Sequence, residues 1–211
     1  MWYTKLMLAA RELSCERGGR TLFSGLDFEV GPGTLLHVQG ANGSGKTSLL
    51  RMLCGLTIPA SGQVFWDGND IRELREDYAS QLTYIGHHPA VKDDLSALEN
   101  VRTSQLLAGQ PVSREQALEA LAAVGLKNQA NLPSRVLSQG QRRRVALARL
   151  WLCNKPLWVL DEPYNALDAD AAALLQRHIE AHLGRGGMAV LTTHQEPGIA
   201  AQLVRILRLA A

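Results

Sequence analysis

The chain has 211 residues, 46% of them hydrophobic and 20% charged, a balance that suits one globular domain with a sizeable core. A net charge of only +2 argues against a nucleic-acid partner. No apolar run exceeds seven residues even when glycine is counted, the longest being Ala120–Leu126, so nothing in the sequence is long enough to span a bilayer as a helix.

The segment Leu6-Met7-Leu8-Ala9-Ala10 is too short for the apolar part of a secretory signal and runs straight into Arg11-Glu12, so the expectation is a chain that is not exported. Cys15, Cys54 and Cys153 are odd in number and far apart, which supports neither a disulfide framework nor a zinc site. Residues 6–30 hold short apolar runs broken at Gly18-Gly19 and Ser24-Gly25. They predict a small antiparallel sheet with strands over 6–11, 21–23 and 26–30.

A short buried strand over 34–39 then delivers Gly40-Ala41-Asn42-Gly43-Ser44-Gly45-Lys46-Thr47, and a helix leaves the loop through Ser48 and ends near Gly55. The loop fits G-x-x-x-x-G-K-[ST] at each required position. Glycines at 40, 43 and 45 are expected to curl the backbone through positive φ so that N–H groups point at a polyphosphate. Lys46 adds charge for the outer phosphates and the Thr47 hydroxyl is placed to ligate magnesium.

Past the loop, Gln63–Trp66 predicts a strand in a hairpin, and residues 81–86 a core strand ending at His87-His88-Pro89. Neighbouring side chains of an extended segment point apart, so the two histidines make a poor metal pair. Residues 96–109 and 113–124 read as helices, the second opened by a capping box of Ser113 and Gln116. Leu137-Ser138-Gln139-Gly140-Gln141 opens a further helix through Arg142-Arg143-Arg144 to Cys153. The three arginines are expected on a solvated face or flanking a phosphate.

The strand Leu157–Leu160 ends in Asp161-Glu162, the acidic partner that a phosphate loop requires: the first to hold magnesium, the second to orient and deprotonate water. A helix over 168–183, a strand over 188–192 ending at Thr193-His194, and a weak edge strand over 203–209 complete the chain. A histidine just past the carboxyl end of a parallel strand sits where ligands bind in open α/β sheets.

In this order, the phosphate loop, the 137–141 segment, Asp161-Glu162, Ala166-Leu167-Asp168 and His194 make a chain that resembles the ATP-binding subunits of ABC transporters over roughly residues 6–209. The resemblance implies an α/β P-loop NTPase of ABC type, with a mixed central sheet, an N-terminal antiparallel β-subdomain and an inserted helical subdomain. The whole of 1–211 is then one nucleotide-binding domain, with β-subdomain and catalytic core over about 1–87 and 155–211 and the helical part over about 88–154. Two copies pack head to tail in that family, each ATP lying between one phosphate loop and the signature segment of the other chain. The implied roles are Asp161 on magnesium, Glu162 as general base, His194 as γ-phosphate sensor, Ser138, Gly140 and Gln141 on the partner's nucleotide, and Asp168 as a link across the dimer.

The sequence departs from the family pattern at three places. Gln139 replaces a signature glycine, His87 stands where a glutamine usually contacts magnesium, and about Arg17 takes the place of the aromatic that stacks on adenine. With Cys15-Glu16-Arg17, Gly86-His87-His88-Pro89, Arg142–Leu152 and Leu191–Gln195, these features resemble the ATPase subunits of bacterial cytochrome c maturation systems. That resemblance implies ATP and Mg²⁺ as ligands, a position on the cytoplasmic face of the inner membrane, and integral membrane partners of the CcmB, CcmC and CcmD kind. It also implies an indirect link to the haem chaperone CcmE, with hydrolysis driving haem export or release of the loaded chaperone.

The alternatives are the ATPase of another ABC exporter and, further off, a soluble ABC-type ATPase. A regulatory GTPase is disfavoured because the nearest approach to N-K-x-D, Asn154-Lys155-Pro156-Leu157, ends in leucine.

Overall fold

The structure is a computed structural model that describes residues 6–209. It divides into two compact units: of the described residues, one takes in 6–84, Lys155–Glu162 and 178–209; the other comprises Ile85–Asn154 and Pro163–Arg177.

The first unit opens with β1 (Leu8–Arg17) and β2 (Arg20–Val30), an antiparallel pair joined through Gly18-Gly19. Both are longer than the sequence suggested, because what reads as a break is a bulge: Glu12 has φ 50° and Gly25 φ 62°, and the register slips between Ala10 and Leu13 without ending the ladder. β4 (Ser61–Trp66) pairs with β1, and a short β5 (Asn69–Asp70) completes the hairpin and the order β2-β1-β4-β5. Gly62 faces the bulge, where a Cβ would fall 2.3 Å from the Glu12 carbonyl oxygen, so only glycine fits.

The second sheet runs β6-β7-β8-β3-β9, from β3 (Leu35–Gln39), β6 (Leu82–Ile85), β7 (Leu157–Asp161), β8 (Met188–Thr192) and β9 (Val204–Arg208). The pairs β7/β8, β3/β8 and β3/β9 are parallel, and β9 forms the edge expected of the tail. β7 and β8 are buried at every position, as strands covered on both faces must be. α1 (Lys46–Leu53) follows β3, burying Leu49, Leu50, Met52 and Leu53 and ending before Gly55 at φ 70°. Two short helices lie in a stretch without clear periodicity: α2 (Ile71–Leu74), capped by the Asp70 carboxylate on Arg72 N, and α3 (Glu76–Gln81). Only Ile71 and Tyr78 of these helices are buried, too few to write a helical stripe. Cys54 is half-buried against the core rather than fully inside it, and burial pushes its thiol up to about 12.

The second unit is built on α4 (Ala97–Leu107), α5 (Arg114–Ala123) and α6 (Gln139–Ala148), which close over Leu98, Val101, Ala117, Leu121, Val124, Leu137 and Val145. Each helix starts with a serine that accepts from the backbone N–H of the third helical residue while that residue's side chain returns the bond: Ser96 with Glu99, Ser113 with Gln116 and Ser138 with Gln141. The buried amide of Asn100 donates to Ser134 Oγ at 3.0 Å and Lys92 O at 2.9 Å and accepts from Lys92 N at 2.7 Å, which fixes the loop before α4. α7 (Ala169–Gly184) begins in this unit and ends in the first.

Candidate nucleotide site

β3 stops at Gln39 and α1 starts at Lys46, so Gly40–Gly45 form a loop between a strand end and a helix N-terminus. Gly43 and Gly45 adopt φ 84° and 97°. Gly40 does not share that conformation, contrary to expectation; it is needed for space, since a Cβ there would sit 2.4 Å from Ser44 Oγ. That hydroxyl is buried and has no hydrogen-bond partner in the protein, an orphaned donor within the loop. Asn42 and Gly43 are exposed at the loop tip, and Ser48 is half-buried in the first turn of α1. Lys46 Nζ arches back over the loop and donates to Gly40 O at 2.7 Å and Ala41 O at 3.1 Å.

The carboxylate pair reaches the loop through the sheet. Thr47 Oγ1 donates to Asp161 Oδ2 at 2.8 Å, although the two residues are 114 apart in the chain. Thr192, at the end of β8, donates to Asp161 Oδ1 at 2.8 Å and accepts from Glu162 N at 2.9 Å. His194 Nε2 stands 3.5 Å from Glu162 Oε1 and is more than half exposed, while Glu162 and Asp161 are buried. One strand thus supplies both carboxylates, and its neighbour supplies the hydroxyl and the imidazole that hold them. Thr192 was not anticipated; its signal is a polar residue at the end of an otherwise apolar strand. His37, buried in β3 with Nε2 3.2 Å from Thr193 O, secures the same end of β8 and was likewise missed.

Beneath the carboxylates, Trp158 of β7 is stacked on His182 of α7, with ring centroids 3.9 Å apart and 5° between planes. Gly187 is obligatory there, since a Cβ would lie 2.3 Å from the imidazole. Burial pushes the His182 ring down to about 4, so it packs as a neutral ring.

The remaining candidates, Arg17 apart, lie in the helical unit. Ser138 caps α6, with its Oγ accepting from Gln141 N at 3.2 Å and Gln141 Oε1 accepting from Ser138 N at 2.9 Å. Gly140 is in close approach to the segment after β7: a Cβ would lie 2.5 Å from Ala166 O. Asp168 caps α7 by accepting from Ala171 N at 2.8 Å. His87 and His88 are exposed, and their rings meet edge to face with centroids 5.3 Å apart. The expectation that they point apart is corrected: the segment is bent, not extended, so the alternation of a strand does not apply. They line a cleft of about 520 Å³ with Gln139, Arg142, Arg143 and Asn165. Arg143 departs from expectation too. It is 3% exposed rather than solvated, because its guanidinium is spent on backbone carbonyls. Arg17 is exposed at the end of β1, opposite Arg20.

Among the described residues no group of three or more histidine, cysteine or acidic side chains is placed to hold a metal, and no helix is long and apolar enough to cross a membrane. A hydroxyl and one carboxylate in contact, Thr47 and Asp161, are the hard oxygen donors that suit magnesium, which takes few protein ligands beside phosphate and water.

Comparison with known proteins agrees with this geometry. The family model described as "ABC transporter" matches residues 23–165. The cytochrome c biogenesis ATP-binding export protein CcmA of Nitrosomonas europaea is 55% identical over 190 residues, covering 90% of this chain and 89% of that one. Its namesakes in Dechloromonas aromatica and Escherichia coli K12 are 51% and 45% identical over 203 residues, covering 96% of this chain and 100% and 96% of theirs. Among solved structures, an ATP-binding subunit of an ABC transporter superposes with TM-score 0.82 at 24% identity, over 97% of this chain and 88% of that one. A dimeric ATP-binding cassette in a post-hydrolysis state, bound to ADP and Pi, does so with TM-score 0.82 at 24% identity over 96% and 94%. These two establish the fold.

Proposed function

The chain belongs to the ABC transporter family of ATP-binding proteins, and we propose from that premise that it is the ATP-hydrolysing subunit of a transport complex in cytochrome c biogenesis. The observation that carries the chemistry is the hydrogen-bonded run Thr47–Asp161–Thr192–Glu162, which locks the phosphate loop to the carboxylate pair.

The loop amides of residues 40–47 and the partial positive charge at the start of α1 hold the phosphates, with Lys46 turning from the Gly40 and Ala41 carbonyls to the outer ones. Ser44 Oγ gains a partner on a phosphate oxygen. Thr47 and Asp161 would hold Mg²⁺, which would supply positive charge against the charge that develops on the phosphates. Glu162 accepts the proton of the water that attacks the γ-phosphorus in line, giving ADP and phosphate; His194, 3.5 Å away, orients that carboxylate and faces the γ-phosphate.

Ser138, Gly140 and Gln141 meet the nucleotide of a second copy, with Asp168 and the His87 loop beside that contact, and Arg17 lies along the base. The site is therefore complete only in a head-to-tail dimer. The relatives named as cytochrome c biogenesis export proteins match nearly end to end, which supports membrane partners of the CcmB, CcmC and CcmD kind. The same likeness supports a place on the cytoplasmic face of the bacterial inner membrane and a link through those partners to CcmE, with hydrolysis driving haem export or release of the haem-loaded chaperone.

The test is co-purification. Expressed with its partners, a tagged chain carrying Glu162→Gln and incubated with MgATP is expected to bring down integral membrane proteins and a haem absorption band. A chain that stays in the soluble fraction overturns the transport reading. Partners without haem leave the ATPase role and remove haem as cargo.

A further inference from the structure

The chain passes between the two units at four places, Tyr84–Ile85 and Glu162–Pro163 among them, and one side chain grips the polypeptide just past these two. Arg143, in the second turn of α6 and 3% exposed, donates from Nη1 to Gly86 O at 2.7 Å and His87 O at 3.3 Å, and from Nε to Pro163 O at 3.5 Å. A guanidinium holds its N–H groups in a rigid fork, so these carbonyls are fixed relative to one another and to α6. Hydrogen bonds from a charged donor are about twice as strong as neutral ones.

The Pro163 contact bears directly on Glu162. Glu162 has φ 49°, a left-handed conformation that a non-glycine residue keeps only when its surroundings hold it there. On one side the hold is its own amide on Thr192 Oγ1 at 2.9 Å. On the other side stands Pro163, whose ring locks its own φ and whose carbonyl accepts from Arg143 Nε at 3.5 Å. α6 meets the same segment a second time, where Gly140 lies under the Ala166 carbonyl. The helix that begins with the signature therefore fastens both the segment leaving Glu162 and the His87 loop.

We propose that Arg143 is a positioning residue for hydrolysis: by clamping the Pro163, Gly86 and His87 carbonyls it aims the Glu162 carboxylate, without touching nucleotide. The proposal rests on the reading of Glu162 as the general base.

The experiment uses the full chain purified with its membrane partners and compares Arg143→Ala, Arg143→Gln and Arg143→Lys with the parent and with Glu162→Gln. Steady-state kcat and KM for MgATP, the Kd of a fluorescent ATP analogue and the thermal midpoint are measured, with and without millimolar methylguanidinium. The expected result is a kcat lowered about 10- to 100-fold in Arg143→Ala, as for a group displaced by an ångström, with KM and Kd within about twofold. Gln and Lys, which reach one carbonyl, should fall between, and methylguanidinium should restore part of the rate in Arg143→Ala alone.

Parental kcat in a folded Arg143→Ala chain, or a loss confined to KM and thermal midpoint with no rescue, overturns the proposal. If the alanine variant does not fold, the same split is read from Arg143→Gln. Parental turnover in Glu162→Gln overturns the base assignment and the proposal with it. A dead Glu162→Gln beside normal Arg143 variants overturns the proposal alone.

Discussion

The Thr192 hydroxyl donates to Asp161 Oδ1 at 2.8 Å, so the end of β8 sets the orientation of the carboxylate that β7 carries. The same oxygen accepts from Glu162 N. Thr192→Val keeps the shape and removes both bonds, leaving a buried N–H unsatisfied at a cost of about 1–3 kcal/mol. The expected outcome is a lower denaturation midpoint and an ATPase rate reduced at least about tenfold, as for other misaligned active-site groups. Thr192→Ser should recover most of the rate, and a valine variant with parental rate would refute the role.

Gly140→Ala tests the approach of Ala166. Its Cβ would meet a backbone carbonyl at 2.5 Å, which no side-chain rotation relieves, so the segment between β7 and α7 must shift. A stability loss of about 1–3 kcal/mol is expected from such overpacking, with hydrolysis falling further than nucleotide binding. Equilibrium unfolding and binding of a fluorescent ATP analogue separate the two effects.

Within the phosphate loop, Lys46→Ala should lose ATP binding and hydrolysis together, because the charge on the outer phosphates is gone. Glu162→Gln should keep binding yet lower kcat by about 100-fold or more, the usual contribution of a positioned base, and gel filtration should show an ATP-stabilised dimer. Gly40→Ala should resemble Lys46→Ala even though its φ is ordinary, since the new methyl group strikes Ser44 Oγ at 2.4 Å.

His182 gives the fold a pH dependence of known sign. Its folded value is pushed down to about 4 by burial, below the ordinary 6.5. Between those values the unfolded chain binds a proton that the folded chain does not, so stability falls as pH drops from about 6.5 towards 4. At 1.36 kcal/mol per unit the loss reaches roughly 3 kcal/mol. Urea midpoints at pH 7 and pH 5 should differ by more in the parent than in His182→Gln, and equal differences would show that another group carries the effect.

Much of the site is legible in the chain because its parts are local. A phosphate loop needs a strand end, glycines, a lysine, a hydroxyl and a helix start in one run, and residues 34–53 contain all of them in order. Likewise, β7 and β8 are short apolar runs ending in polar residues, and each capping serine stands directly before its helix with its Glu or Gln partner three residues on. The bulge in β1, the pair α2 and α3, and the bent histidine segment escaped, because none of them repeats a period.

What the sequence by itself determined is the chemistry available and the elements that carry it: Lys46, Thr47, Asp161, Glu162 and His194, each at the end of a strand or the start of a helix. Tertiary structure alone decided which groups far apart in the chain share a hydrogen bond. Thr47 meets Asp161 across 114 residues, Arg143 is buried on Gly86 and Pro163 instead of solvated, and Gly140 is glycine because the Ala166 carbonyl lies against it. The physical reason is range: capping, turns and periodicity act over a few residues and are written in the order of side chains. A carbonyl that needs a donor, or a Cβ that has no room, is a property of two segments brought together by the packing of strands and helices.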